Sequence, residues 1–212
     1  MKLKRFNSID KKSVKSALKV LKSGKLSPFV GNWKNDKIVG SFYGGKNVQD
    51  LENYFKKKFN VKYAIAVNSW TSGLICAVGA IDIKPGDEII VSTWTMCASA
   101  TAIIHWMAIP VFADIDKDTF NINLETIKKC YSKRTKAIIV PDIMGQSSEI
   151  DKIMSFANKK KLIVISDSAQ AIGVKYKNKY AGTIAHVGGY SFNYHKPINC
   201  GEGGIIITNI KK

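Results

Sequence analysis

Three short stretches hold residues that could act together chemically. The first is SFNYHKPINCGEGG, Ser191 to Gly204, where Lys196 stands five residues after a serine and just ahead of a glycine-rich turn. A partly buried lysine gives up its charge more readily and becomes a nucleophile toward carbonyls, with which it forms a Schiff base. The second is Asp167, which closes the apolar run LIVIS. A carboxylate at the end of a buried strand is costly to desolvate unless it meets a cation or several donors. Asp167 could face a protonated ring nitrogen or hold a loop by a structural hydrogen bond. The third is NSWTSG, Asn68 to Gly73, in which small hydroxyl residues separate an apolar run from a helical segment. Backbone N–H groups at a helix start attract anions, helped by the helix dipole and nearby hydroxyls. The same residues also make an ordinary helix cap.

A nucleophilic lysine, an acid facing a pyridinium nitrogen and an anion site for a phosphate are the three groups that pyridoxal phosphate chemistry needs. Each is weak alone. Together they gain weight from the elements that must position them. Apolar runs at Tyr63 to Val67, Glu88 to Val91, Val111 to Ala113, Ala137 to Val140, Leu162 to Ile165, Gly188 to Phe192 and Ile205 to Thr208 alternate with helical segments near 71–80, 97–107, 123–132 and 149–160. Such alternation predicts a mainly parallel seven-stranded sheet flanked by helices, with ligands at the carboxyl ends of the strands. The three stretches all fall at strand ends.

Upstream, Asp10 to Gly24 alternates apolar residues and lysines at helical spacing, with Asp10 as N-cap and Gly24 as stop. A loop rich in glycine, asparagine and aromatics is expected from there to about Lys46, and a second amphipathic helix over Val48 to Phe59. We therefore divide the chain into an N-terminal helix and loop, 1–46, and a cofactor-binding major domain, 47–212.

Composition narrows the function classes. With 212 residues, 45% hydrophobic and 23% charged, the chain has ordinary globular usage. The net charge of +17 could suit nucleic acid. Nearly all of it is lysine on helix-like surface segments, however, and only Arg5 and Arg134 are arginines, the residue that reads bases bidentately. Four cysteines without a CxxC pair and three histidines without ligand spacing suggest neither a zinc site nor a disulfide framework. A reduced, cytoplasmic protein fits this usage. Ile89 to Ala113 lacks charged residues and is long enough to span a bilayer, but its serines, threonines, His105 and Pro110 read better as strand, loop, helix and strand. The expected partners include neither nucleic acid nor membrane.

The stretches GGKNVQDLENYFKKKFNVKYAIAVNSWTSGL, IKPGDEIIVS, IPVFADIDKDTFNI, TKAIIVPDIMGQ, DSAQAIG and SFNYHKPINCGEGG carry a family resemblance. From about Ala17 to Asn209 the chain resembles the sugar aminotransferases often named after DegT, DnrJ and StrS, within the aspartate-aminotransferase fold. The resemblance implies an α/β fold, the major domain of a transferase dependent on pyridoxal 5'-phosphate. By the same resemblance, the smaller C-terminal domain of such proteins is expected to be absent from these 212 residues. By position, Lys196 would carry the cofactor and move a proton, Asp167 would keep the ring nitrogen protonated, and Gln170 would lie near the ring hydroxyl. Ser69, Trp70 and Thr71, with their backbone amides, and Ser191 would bind the phosphate. Met96 stands where relatives place an aromatic on the ring; a thioether can pack there, and Trp94 is the alternative. Trp70 stands where relatives have a small residue.

The resemblance also implies an amino donor, glutamate or glutamine, and a keto-sugar acceptor, most often nucleotide-linked, for polysaccharide or glycan synthesis. It implies a homodimer, for which the aromatic loop around Phe29 to Tyr43 is a candidate surface. In the related sugar dehydratases a histidine replaces the lysine; here Lys196 is present with His195 before it. A noncatalytic or regulatory relative is the third reading.

Overall fold

The computed structural model describes residues 9–27, 31–34, 37–40 and 44–211. The proposed interface loop from Phe29 to Tyr43 therefore lies partly outside the described residues. The chain divides into two compact units, Met1–Tyr54 and Phe55–Lys212.

In the first unit, α1 spans Lys11–Ser23. Asp10 caps it, its side chain accepting the Ser13 N–H at 2.7 Å, and Gly24 ends it at φ 66°. A glycine takes that left-handed conformation without the steric cost of a Cβ. The segment expected to be loop contains an antiparallel hairpin, β1 (Gly31–Lys34) with β2 (Lys37–Gly40). Helix α2, Lys46–Phe59, starts two residues earlier than expected and runs across the boundary between the units.

The second unit is built on β3 (Tyr63–Val67), β4 (Glu88–Ser92), β5 (Ile109–Ala113), β6 (Thr135–Pro141), β7 (Ile163–Asp167), β10 (Val187–Ser191) and β11 (Gly204–Thr208). They form one seven-stranded sheet in the order β3-β11-β10-β7-β6-β4-β5. Within it β11 runs antiparallel to both neighbours, while the β10–β7, β7–β6, β6–β4 and β4–β5 pairs are parallel. A small hairpin, β8 (Lys175–Tyr176) with β9 (Lys179–Tyr180), precedes β10. Lys177 and Asn178, both at positive φ, make its two-residue turn.

Because strand side chains alternate, each strand feeds two cores. Ile89 and Val91, Ile139, Ile165 and Ile206 pack with α3 (Trp70–Gly79) and α4 (Cys97–Ile104) on one face. Ile90, Ile138, Val140 and Val164 pack with α5 (Leu124–Cys130) and α6 (Ile150–Lys160) on the other. On that second face Phe55 and Phe59 meet Tyr190, Phe192, Ile205 and Ile207. The uncharged run Ile89 to Ala113 is thus β4, α4 and β5, and no helix among the described residues is long and apolar enough to cross a membrane.

Candidate active site

A cavity of about 570 Å³ opens at the carboxyl ends of β3, β6, β7 and β10, and its lining brings the sequence-predicted residues together. Ser69, Trp70, Thr71, Met96, Asp167, Gln170, Ser191 and Lys196 all line it. The ends of parallel strands leave such room because the chain turns to opposite faces of the sheet there.

Lys196 lies in the turn after β10, its backbone N–H bonded to the Asn193 carbonyl at 2.9 Å. Its side chain is half-buried. Burial pushes the amine below the ordinary lysine range, and the Asp167 carboxylate opposes that shift. A lysine with a lowered proton affinity is a better nucleophile at neutral pH. Asp167 ends β7 and is 6% exposed. Its carboxylate is held by the Trp70 indole N–H at 2.6 Å and the Ser99 hydroxyl at 2.7 Å.

Helix α3 begins at Trp70 under the cap of Ser69, whose Oγ accepts the Ser72 N–H at 3.0 Å. The Ser69 side chain therefore serves the helix itself. The Trp70 and Thr71 amides of the first turn remain for an anion. The helix start can approach the sheet because Gly204 lies behind it: a Cβ at Gly204 would sit 2.7 Å from the Trp70 nitrogen and 2.8 Å from its Cα. Ser191, buried at the end of β10, accepts the Asn193 N–H on its Oγ at 3.2 Å. Gln170 accepts the Met144 N–H on Oε1 at 2.8 Å.

The structure separates backbone from side chain at Trp70 and distinguishes Met96 from Trp94. Trp70 contributes its backbone to the helix start, but its ring is 4% exposed and is no part of an anion cup. It fits beneath the sheet because Gly189 and Gly73 have no side chains; a Cβ at Gly189 would lie 2.0 Å from the ring. Of the two candidates to cover a cofactor ring, Met96 lines the cavity, 64% exposed. Trp94 is outside the lining and packs toward Phe120, ring centroids 6.3 Å apart.

Sequence reasoning assigned no role to Ser99, Asn193, Glu202 or Asp142. Glu202 accepts the Asn193 side-chain N–H at 2.6 Å, which ties the lysine turn to the glycine-rich stretch. Asp142 follows β6 as Asp167 ends β7, so the strand-end rule that singled out one carboxylate would have found the other. Ser99 offers no such signal, because nothing local marks a serine inside α4 as facing a carboxylate.

An amine, a carboxylate, hydroxyls and a helix start around one cavity match the chemistry of an aldehyde cofactor bearing a basic ring nitrogen and a phosphate. This site on this sheet defines an α/β domain of the pyridoxal-phosphate transferase type. The chain belongs to the DegT/DnrJ/EryC1/StrS aminotransferase family, whose profile matches residues 36–211. It is 38% identical over 167 residues to GDP-perosamine synthase of Escherichia coli O157:H7, covering 79% of this chain and 46% of that protein. The solved aminotransferase from Psychrobacter cryohalolentis superposes with a TM-score of 0.86 at 34% identity, over 97% of this chain and 49% of the other. A further match is the E. coli GDP-4-keto-6-deoxy-D-mannose-3-dehydratase with bound hydrated PLP, at TM-score 0.84 and 27% identity over 97% and 50% of the two chains. The chain thus spans about half the length of the relatives it matches.

Proposed function

We propose that this chain is the cofactor-binding part of an aminotransferase that moves an amino group from glutamate or glutamine to a keto-sugar, nucleotide-linked, in polysaccharide or glycan synthesis. The observation that carries the proposal is the meeting of Lys196 and Asp167 in one cavity whose lining also includes the start of α3. When bound, pyridoxal phosphate supplies an electron sink that lets an amino group leave one carbon and join another. The chain's own residues then have separable tasks. Lys196 holds the cofactor through its amine and, once released, moves a proton as a base of lowered affinity. Asp167 keeps the ring nitrogen protonated. The Trp70 and Thr71 amides, with the Thr71 and Ser191 hydroxyls, would hold the phosphate, Ser69 would shape that site by capping α3 with its hydroxyl, and Gln170 would lie toward the ring hydroxyl. Met96 would pack on the ring face. A homodimer and a cytoplasmic location belong to the same reading, as does the division at residue 46.

The presence of Lys196 favours transamination over the dehydratase reading, because sugar dehydration in this fold follows replacement of that lysine. The test is a visible spectrum of the purified chain with pyridoxal phosphate, before and after borohydride, beside Lys196→Ala. A borohydride-sensitive band confined to the wild type supports the reading; equal spectra for both proteins would sink it. A positive result is then carried to nucleotide-linked keto-sugars with glutamate as donor, scored by amino-sugar formation.

A further inference from the structure

Asp167 is held more completely than a simple ring partner needs. Its Oδ1 accepts the Trp70 indole N–H at 2.6 Å and the Ala169 N–H at 3.3 Å. Its Oδ2 accepts the Ser99 hydroxyl at 2.7 Å. Ser99 also pairs with the Thr95 hydroxyl at 3.0 Å. A serine has a single proton, and here the carboxylate takes it, so Thr95 donates to Ser99 and the chain of bonds runs from Thr95 through Ser99 to Asp167. Trp70 is 4% exposed and Ser99 0%. The indole has no freedom to leave, because its ring fills the space over Gly189 and Gly73.

A carboxylate offers about four acceptor positions. Two on Oδ1 and one on Oδ2 are filled, which leaves a single position on Oδ2. Charge-assisted bonds of this kind are short and directional. Buried donors without an acceptor are costly, so Trp70 and Ser99 hold the carboxylate as firmly as it holds them. Through space, the Asp167 charge also acts on Asp142 and Lys196.

We propose that Trp70 and Ser99 are positioning residues that clamp Asp167 and reserve one Oδ2 position for the protonated ring nitrogen of the bound cofactor. The proposal rests on the functional reading above. In it, the large residue at position 70 aims the acid from beneath the sheet and gives the anion site only its backbone amide, beside that of Thr71.

The experiment has two arms on the 212-residue chain. Without cofactor, indole ¹⁵N–¹H spectra identify the Trp70 signal as the one lost in Trp70→Phe. That signal is expected to exchange with solvent at least tenfold more slowly than that of Trp94, which is 50% exposed, and to shift in Asp167→Ala. A Trp70 signal that exchanges as fast as Trp94 and ignores Asp167→Ala overturns the clamp. In the second arm, pyridoxal phosphate and its analogue with carbon in place of the ring nitrogen are titrated into wild type, Trp70→Phe and Ser99→Ala, with circular dichroism to confirm folding. Loss of one charge-assisted bond is expected to weaken pyridoxal phosphate about tenfold while leaving the analogue unchanged. Equal weakening of both ligands would mean that the two residues only support the fold, and overturns the positioning role. A wild type that binds neither ligand refutes the functional reading and the ligand half of this proposal together, and the indole arm still decides the clamp.

Discussion

Replacing Asp142 by asparagine should flatten the pH dependence of stability between about pH 4 and 7. Asp142 follows β6 and is 2% exposed. Its Oδ2 accepts the Ser168 hydroxyl at 2.5 Å and the Ser166 hydroxyl at 3.2 Å, and its Oδ1 accepts the Ser148 N–H at 3.1 Å. Burial outweighs those donors, the Asp167 charge adds to it, and the carboxyl is pushed up from 3.8 to about 6. In that window the folded protein keeps a proton that the unfolded chain has released. The stability this group contributes is therefore fully present below about pH 4 and is lost as pH rises through about 6. A gap of about 2 units at roughly 1.4 kcal/mol each makes the loss about 3 kcal/mol. Asparagine has nearly the same shape, keeps an oxygen for the Ser148 N–H and does not titrate. Urea unfolding of both proteins, followed by far-ultraviolet circular dichroism from about pH 4 to 7, should show the variant gaining on the wild type by about 3 kcal/mol over that range. A fixed offset from weakened serine bonds cancels in the difference of slopes. Parallel curves, or a variant that falls more steeply than the wild type, would refute the reasoning.

Two other substitutions follow from the same geometry. Gly204→Ala places a Cβ against the backbone of Ser69 and Trp70, which has no rotamer with which to yield; it should destabilise by about 1–3 kcal/mol and weaken pyridoxal phosphate binding, and an unchanged urea midpoint would count against the close approach of α3. Asp167→Asn removes the charge that raises the Lys196 proton affinity against burial; competitive acetylation read by mass spectrometry should find the neutral Lys196 amine at lower pH in the variant, and a shift to higher pH would contradict the assignment.

The strand and helix pattern of the second unit was legible because its apolar runs carry their own period. Tyr63 to Val67 was read with the bounds of β3, and β7 ends on the aspartate singled out from sequence. Asp10 and Gly24 gave α1 its limits through local chemistry, a side chain that caps and a residue that tolerates positive φ. The two hairpins escaped notice. β1–β2 lies in a glycine- and asparagine-rich stretch that lacks alternation, and the two-residue arms of β8–β9 are too short to show a period.

The sequence by itself determined the alternating α/β order and the three chemical groups at strand ends, because backbone periodicity and residue type are local properties. Only the tertiary structure decided that those strand ends line one cavity, since strand order depends on which crossovers bury both faces of the sheet. It also decided the direction of Trp70. Read locally, that residue belongs to an anion-binding turn; in three dimensions its indole reaches Asp167, 97 residues away, because Gly189 on a neighbouring element leaves space for the ring and a buried N–H must find an acceptor. Whether a side chain at one position turns toward the ligand or beneath the sheet depends on the room left by residues far from it in sequence, and no local pattern encodes that room.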